Sequence, residues 1–532
     1  MLNMLINKKY IPKILIGVIT TTFVVVSCSK DLDKTDPNVE GVDTYFNTSA
    51  QILNATNSIY STFHSHPVIA REWFFIHDLR GDEVTTGGGQ LEPPRAQMLN
   101  GATDPSNSIM NLMWNALYTM IHRANTVIDN APNATDNAAL TARNVGEAKF
   151  LRAWAYNELV TMWGPVPVYT TTVKKQDDFQ PRAKESDVYA VIIQDLKDAV
   201  AALPEKSGYD ANNTGRVTKS TANAILGRVY MQTGDYASAK TAFLAIPTTG
   251  ADGYHLMNRY LDNFEEETEF NAETIWEAVF FDKGDNNFNW GGNAVGDGAA
   301  ANQTTVRNQE YCPVAWRNLI PSNKYLNEFE TTAAGAAKTD PRLSFSVYQT
   351  GDKFNNGATT LTDGMQNGNA SVFHGVTQKM SWRKWMLMYK ENASFHPGGN
   401  NQRLIRYAEI LLNLAECENE LGSAPSVVLD YLNKVRDRAD VAMPHYPTAQ
   451  FPASTKDELT KAIMHERMVE LGDEEVRNID IIRWRKKGYF GTADPLSYFR
   501  KNRDELLPIP QAEIDNNPKL ASGGINAQNP GY

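Results

Sequence analysis

Between residues 188 and 203 apolar side chains recur at Val188, Ile192, Leu196, Ala199 and Leu203. Steps of four, four, three and four place them on one face of a helix, and Pro204 ends it. The same rhythm predicts helices over Ser49–Phe63, Ser108–Ile128, Ala138–Trp163, Arg403–Leu421 and Ser426–Arg438, and Thr455-x-x-Glu458 is a capping box that opens another. These stripes need neighbouring helices to cover them. In "LGRVYMQTGDYASAKTAF" the positions Leu226, Gly227, Tyr230, Gly234, Tyr236, Ala239 and Phe243 carry the spacing by which the two helices of a tetratricopeptide repeat interlock. The copy is degenerate, because Asn223 lies near the position where a tryptophan is expected. Weaker copies lie at Ala153-x-x-Tyr156 and around Ala415 to Gly422.

The rhythm breaks twice, over Gly81 to Pro105 and from about Pro247 to Asn401, a stretch rich in Gly, Asn and aromatics. Within the second, "ETIWEAVFF" (Glu273 to Phe281) has the composition of a strand. The expected fold is therefore mainly α: a tetratricopeptide-like helical scaffold with a large irregular, loop-rich lobe carrying a few short strands. The expected body spans 47–532, helical over 47–246 and 401–490, with a loop-rich insertion over 247–400 and a C-terminal segment over 491–532. Long loops on a helical scaffold are where binding usually resides.

A different pattern opens the chain. Lys8, Lys9 and Lys13 precede an apolar run, Ile14 to Val26, of secretory length and too short for a comfortable membrane span. Val25-Val26-Ser27-Cys28 resembles a bacterial lipobox, so residues 1–27 are expected to be a lipoprotein signal, Cys28 the lipidated residue, and 28–46 a solvated tether. The alternative is an incidental or buried cysteine behind an ordinary signal.

A net charge of −11, from 51 basic and 62 acidic residues, argues against nucleic acid as a partner. Three cysteines (Cys28, Cys312, Cys417) and nine histidines leave no metal framework, so no metal or cofactor is expected. His465-Glu466 lacks the second histidine of a helical zinc motif. Glu466 and Glu470 share a stripe with Leu459 and Ile463; they read as members of a buried ion-pair network near Arg467, Arg477 and Arg483, the alternative being an acid/base pair. "DKGDNN" (Asp282 to Asn287) offers oxygen ligands without the EF-hand order and reads as a solvated loop. No nucleophile elbow or phosphate loop occurs, so no catalytic residue is assigned and the chain is not expected to be an enzyme.

Several stretches together resemble one family: "VVSCSKDLD", "WNALYTMIHRANTVID", "EAKFLRAWAYNELVTMWGPVPV", "RLIRYAEILLNLAECENELG", "HERMVELGDEEVRNIDIIRW", "LLPIPQAEIDNNPKL" and "QNPGY". In this order they are similar to the SusD/RagB nutrient-binding lipoproteins of Bacteroidetes. The resemblance implies a non-catalytic, cell-surface glycan-binding lipoprotein of the outer membrane. It also implies capture of an oligosaccharide or polysaccharide as a lid on a TonB-dependent, SusC-like transporter, with Glu466, Arg467, Glu470, Arg477 and Trp484 in the scaffold. The competing readings are a secreted glycan hydrolase and a tetratricopeptide-type peptide-binding adaptor.

Tryptophans sharpen the binding question. Trp114, Trp154, Trp163 and Trp484 fall in amphipathic helices and Trp276 in the expected strand, where core packing explains them; Trp382 and Trp385 fit either role. Trp73, Trp290 and Trp316 lie beside or within the loop regions, the last two near Asn289, Asn293, Arg307 and Tyr311. Flat rings suit the C–H faces of sugars, and amides and guanidinium groups suit their hydroxyls. These seven residues are the candidate glycan site, set against the alternative that each tryptophan packs under its own loop.

Overall fold

The computed structural model describes residues 45–282, 284, 288–290, 302–391 and 396–532. The leader, Cys28, most of the tether, Asn293, and Lys283 with Asp285, Asn286 and Asn287 of "DKGDNN" lie outside the described residues.

The scaffold helices are α1 (Ser49–Phe63), α2 (Ser108–Asn130), α3 (Ala138–Trp163), α4 (Glu185–Ala202), α5 (Lys219–Thr233), α6 (Tyr236–Leu244), α7 (Tyr407–Glu420), α8 (Pro425–Arg436), α9 (Lys456–Leu471) and α10 (Arg477–Lys486). Local chemistry sets many of their starts. Thr48 and Thr455 form capping boxes with Gln51 and Glu458, while Asn107, Asn137, Thr218 and Asp235 cap through their side chains. Each stripe is then covered by the next helix: α1 packs on α2 and α3, α2 on α3, α3 on α4, α4 on α5, α5 on α6, α6 on α7, and α7 on α8 and α9.

The tetratricopeptide spacing appears as contact. Gly227 faces Phe243 so closely that a Cβ there would stand 2.3 Å from the ring, and Ala239 is fully buried. Gly234 ends α5 in the left-handed conformation, φ 82°, which glycine adopts without a Cβ clash.

One boundary departs from expectation. Arg403–Arg406, read above as the start of a helix, belongs to strand β2 (Gln402–Arg406), paired antiparallel with β1 (Thr274–Ala278) in a bulged register from Gln402↔Ala278 to Arg406↔Thr274. Every residue of both strands is buried. A short, wholly buried strand carries no alternation, so periodicity alone does not separate it from the helix that follows. The rest of the lobe is built from loops, short helices and two-stranded pairings such as Val84–Thr86 with Leu319–Pro321 and Val347–Gln349 with Met380–Trp382.

Beneath α9 lies a buried ion lattice. Glu470 accepts from Arg406 (2.7 Å), Arg438 (2.9 Å) and Arg342 (3.0 Å); Glu466 accepts from Arg342 (2.6 Å), Arg436 (3.1 Å) and the Tyr446 hydroxyl (2.8 Å). Burial opposes the Glu470 carboxylate, but Arg406, Arg438 and Arg342 outweigh it and hold its pKa far below the usual range. The partners differ from the sequence neighbours expected above. Arg467 binds Asp480, Arg483 binds Glu416 and Arg477 binds Asp82, each at 2.6–2.7 Å; Arg467 follows Glu466 on α9 and so points about a quarter-turn away from it, while Arg477 and Arg483 stand on α10.

The C-terminal segment returns to the end of α3. Leu507 N–H donates to Met162 O (2.8 Å), Trp163 Nε1 to Pro508 O (3.1 Å), and Asn529 Nδ2 to Trp163 O (2.9 Å). These bonds satisfy polar groups that the end of α3 leaves open.

Candidate functional site

The ten residues after α1 begin the site. Ala70 accepts from Val306 N–H and Thr305 Oγ1, both at 3.3 Å, which joins the turn His66–Arg71 to the short helix Arg307–Tyr311. From that helix the chain turns back: Trp316 N–H donates to Gln309 O (3.1 Å), and Arg317 takes a left-handed φ of 53°. The Arg317 guanidinium pins this turn by donating to Ser381 Oγ (2.6 Å), Asn367 O (2.6 Å), Asn369 O (2.8 Å) and Met380 O (2.9 Å). Burial without a facing carboxylate lowers its pKa to about 10.

This scaffolding brings Trp290 and Trp316 together. Their ring centroids are 5.7 Å apart at 39°; Trp290 is 41% exposed and Trp316 is half-buried. Phe288 supports Trp290 edge-on at 4.7 Å, and His66 meets both rings edge-on. The Arg71 guanidinium lies 4.9 Å from the Trp290 centroid. It donates to Glu310 (2.6 Å), with Glu72 (3.9 Å) and Glu92 (3.5 Å) alongside, and Arg95 pairs with Glu72 (2.6 Å) and Glu92. Burial works against the Glu72 carboxylate, but His66, Arg95 and Arg71 hold its pKa at about 2. Burial pushes Glu310 upward despite Arg71. The cations beside the rings are thus already matched by carboxylates, and what the surface offers is aromatic.

The other expected site residues are placed differently. Trp73 is 5% exposed, donates from Nε1 to Glu158 (3.1 Å) and packs on His77 and Trp154. It presents no open face, so the platform expected there is withdrawn. Tyr311 is buried and donates to Asp78 (2.7 Å). Arg307 is buried between Asp473 (2.9 Å) and Glu475, against Phe74 and Trp385. Both therefore sit in the core rather than on the platform, the Tyr311 hydroxyl held by Asp78 and the Arg307 charge by Asp473 and Glu475. Asn289 is exposed beside Trp290, with its N–H on Asn302 Oδ1 (2.6 Å), and Asn293 lies outside the described residues. Trp382 and Trp385 are core residues. Sequence reasoning missed Arg71, His66 and Phe288, which no local motif announces.

Among the described residues no cluster of His, Cys, Asp and Glu could hold a metal ion, and no helix is long and apolar enough to cross a membrane. A cavity of about 930 Å³ lies elsewhere, where the segment after α10 meets α3 and α4. There the Arg485 guanidinium is gripped by Asp494 (2.7 and 3.0 Å) and stacked on Phe499 at 3.9 Å. The indole pair, with Trp290 exposed and Trp316 half-buried, is the more specific feature.

Comparison with known proteins converges on one group. A family model described as the SusD family matches residues 272–532, and one described as starch-binding associating with outer membrane matches 40–231. The chain is 25% identical to SusD-like protein P2 of Formosa agariphila, covering 95% of this chain and 97% of that one. Among solved structures, a SusD-like carbohydrate binding protein from Bacteroides fragilis superposes with a TM-score of 0.73 at 21% identity, over 90% of this chain and 99% of that one. Surface glycan-binding protein A from Bacteroides thetaiotaomicron, in complex with laminarihexaose, superposes at 0.69 with 22% identity, over 89% and 98%.

Proposed function

The chain belongs to the SusD/RagB family, and on that premise we propose that it is a surface lipoprotein that binds an oligosaccharide or polysaccharide without acting on it chemically. The observation that carries this reading is the Trp290–Trp316 pair, an aromatic step with one ring 41% exposed and a matched set of charges beside it. Indole faces stack on the C–H faces of sugar rings, and Arg71 and His66, both buried and paired with carboxylates, back the Trp290 ring from behind. The relatives support the ligand class: one solved neighbour carries carbohydrate binding in its name and another holds laminarihexaose. Glu466 and Glu470, the carboxylate pair that a hydrolase reading would use, are fully buried and bound by arginines, which favours binding over hydrolysis.

In the same reading Cys28 anchors the protein to the outer membrane, and a TonB-dependent, SusC-like transporter receives the glycan. Affinity electrophoresis through gels containing a panel of polysaccharides tests the ligand class. At least one neutral polysaccharide should retard the wild type, and Trp290→Ala should run faster in that gel; a wild type retarded by none sinks the reading. Membrane fractionation of Cys28→Ala and co-purification of a large β-barrel in mild detergent test the anchor and the partner separately.

A further inference from the structure

Beside the tryptophan pair the surface falls into an open depression of about 500 Å³, within the usual size of ligand pockets, about 300–1,000 Å³. Its walls come from the end of α1, from the residues just after β1, from the loop before α5 and from Asn302–Gln303. Four polar atoms here lack a hydrogen-bond partner among the described residues: Ser61 Oγ, His64 Nε2, Arg216 Nε and Asn302 Nδ2. Asn302 is only 5% exposed. Such atoms in a folded wall cost stability unless something binds them.

Their chemistry is definite. His64 Nδ1 faces the Tyr60 carbonyl oxygen at 2.9 Å, so Nδ1 carries the proton and donates. Burial lowers the pKa of His64, which keeps the ring neutral and leaves Nε2 a bare acceptor. Asn302 Oδ1 is occupied by Asn289 N–H, which leaves its Nδ2 as a donor, and Ser61 can serve as either. Across the depression Phe281 stands 65% exposed, its backbone fixed by Gln303 O at 2.6 Å. Among the described residues of the wall the one cation is Arg216, whose charge is paired with Glu147 (2.7 Å) and whose other terminal nitrogen donates to Asn57 (2.6 Å), leaving Nε–H as a donor. An exposed ring, one acceptor, two donors and one hydroxyl, with no unpaired charge among the described residues of the wall, suit an uncharged polyhydroxyl ring.

The depression adjoins the platform. Asn302 N–H donates to His64 O (3.0 Å) while its side chain holds Asn289, next to Trp290, and His66 packs on Trp290 itself. We propose that this depression is a second, neutral-sugar subsite, continuous with the Trp290–Trp316 platform, so that the protein holds a glycan chain long enough to cover both. The inference rests on the glycan-binding reading above and adds a length requirement to it.

Calorimetric titration of the wild type, Phe281→Ala and Trp290→Ala tests it, with neutral oligosaccharides from laminarin, amylose and xylan as probes, each in a short (di- and trisaccharide) and a long (hexasaccharide and larger) set. The wild type should bind long probes of the preferred glycan more tightly than short ones. Phe281→Ala should lose about tenfold on the long probes and nothing on the short. Trp290→Ala should lose affinity for both. Phe281 is exposed, so an unchanged melting temperature will confirm that the variant is folded. If Phe281→Ala matches the wild type on long probes, or weakens both sets equally, the second subsite is overturned while the platform stands. If the wild type binds no probe, both readings fall.

Discussion

The buried lattice under α9 and the aromatic step at Trp290 are built from similar parts, arginines, carboxylates and rings, yet they do opposite things. In the lattice every charge closes on another: Arg406 reaches Glu273, Glu470 and Glu474, and Arg438 reaches Glu273 and Glu470, all away from water. At the step the charges also close, Arg71 on Glu310 and Arg95 on Glu72, but the rings above them do not. Residue type therefore says little about role. What separates a structural cluster from a binding surface is the group left without a partner.

That contrast is broken most severely at Glu470. Glu470→Ala strands Arg406, Arg438 and Arg342 without their shared carboxylate and should cost about 3–5 kcal/mol of stability, read by denaturant unfolding, with sugar affinity of the folded fraction unchanged. Trp73→Ala belongs with it: a buried indole is lost and Glu158 loses a donor, for about 3–5 kcal/mol. Gly227→Leu, driven into the Phe243 ring, should cost about 1–3 kcal/mol by the same assay, and a neutral result would contradict the interlocked repeat. Trp290→Ala should invert the pattern, with an unchanged melt and a loss of about tenfold in glycan affinity, about 1.4 kcal/mol. Retained binding with lowered stability would move Trp290 into the same class as Trp73.

The mildest effect near neutrality is a pH window. His465 is raised to about 9; burial opposes its charge, but Glu328 at 2.8 Å and Glu330 at 3.5 Å favour it more strongly, with Glu466 adding to the pull. Because the folded value exceeds the ordinary 6.5, the stabilisation is complete below pH 6.5 and is lost as pH rises through 9. Glu83, pushed by burial to about 8, acts in the same direction, since its proton must leave over an overlapping range. Stability should fall from pH 6.5 to 9, and His465→Gln should flatten part of that slope in thermal melts. An equal slope in the variant would remove His465 from the account.

Much of the scaffold was legible in the chain because helical periodicity and capping are local. Ser49–Phe63 and Ala138–Trp163 begin and end where their stripes and breakers place them. The site was half legible. Trp290 and Trp316 stand in aperiodic sequence and share a surface, whereas Trp73, equally close to a loop, is claimed by Glu158, 85 residues away. Arg71 joins the step from another part of the chain, through the Ala70 contacts with Thr305 and Val306. Pairings of that kind leave no spacing to read. The same holds for Arg307 and Tyr311, whose acidic partners Asp473 and Asp78 are distant in sequence.

The lattice also orders events in time. Helix pairs such as α2 with α3 and α3 with α4 join neighbours along the chain and can dock early, while Arg406 meets Glu273 across 133 residues and Arg438 meets it across 165. Loop-closure entropy predicts that those charges meet after the local helix pairs have formed. The loops that carry Trp290 and Trp316 lie inside that interval. On contact order alone, the Trp290–Trp316 surface is therefore expected to be completed after the helix pairs have docked.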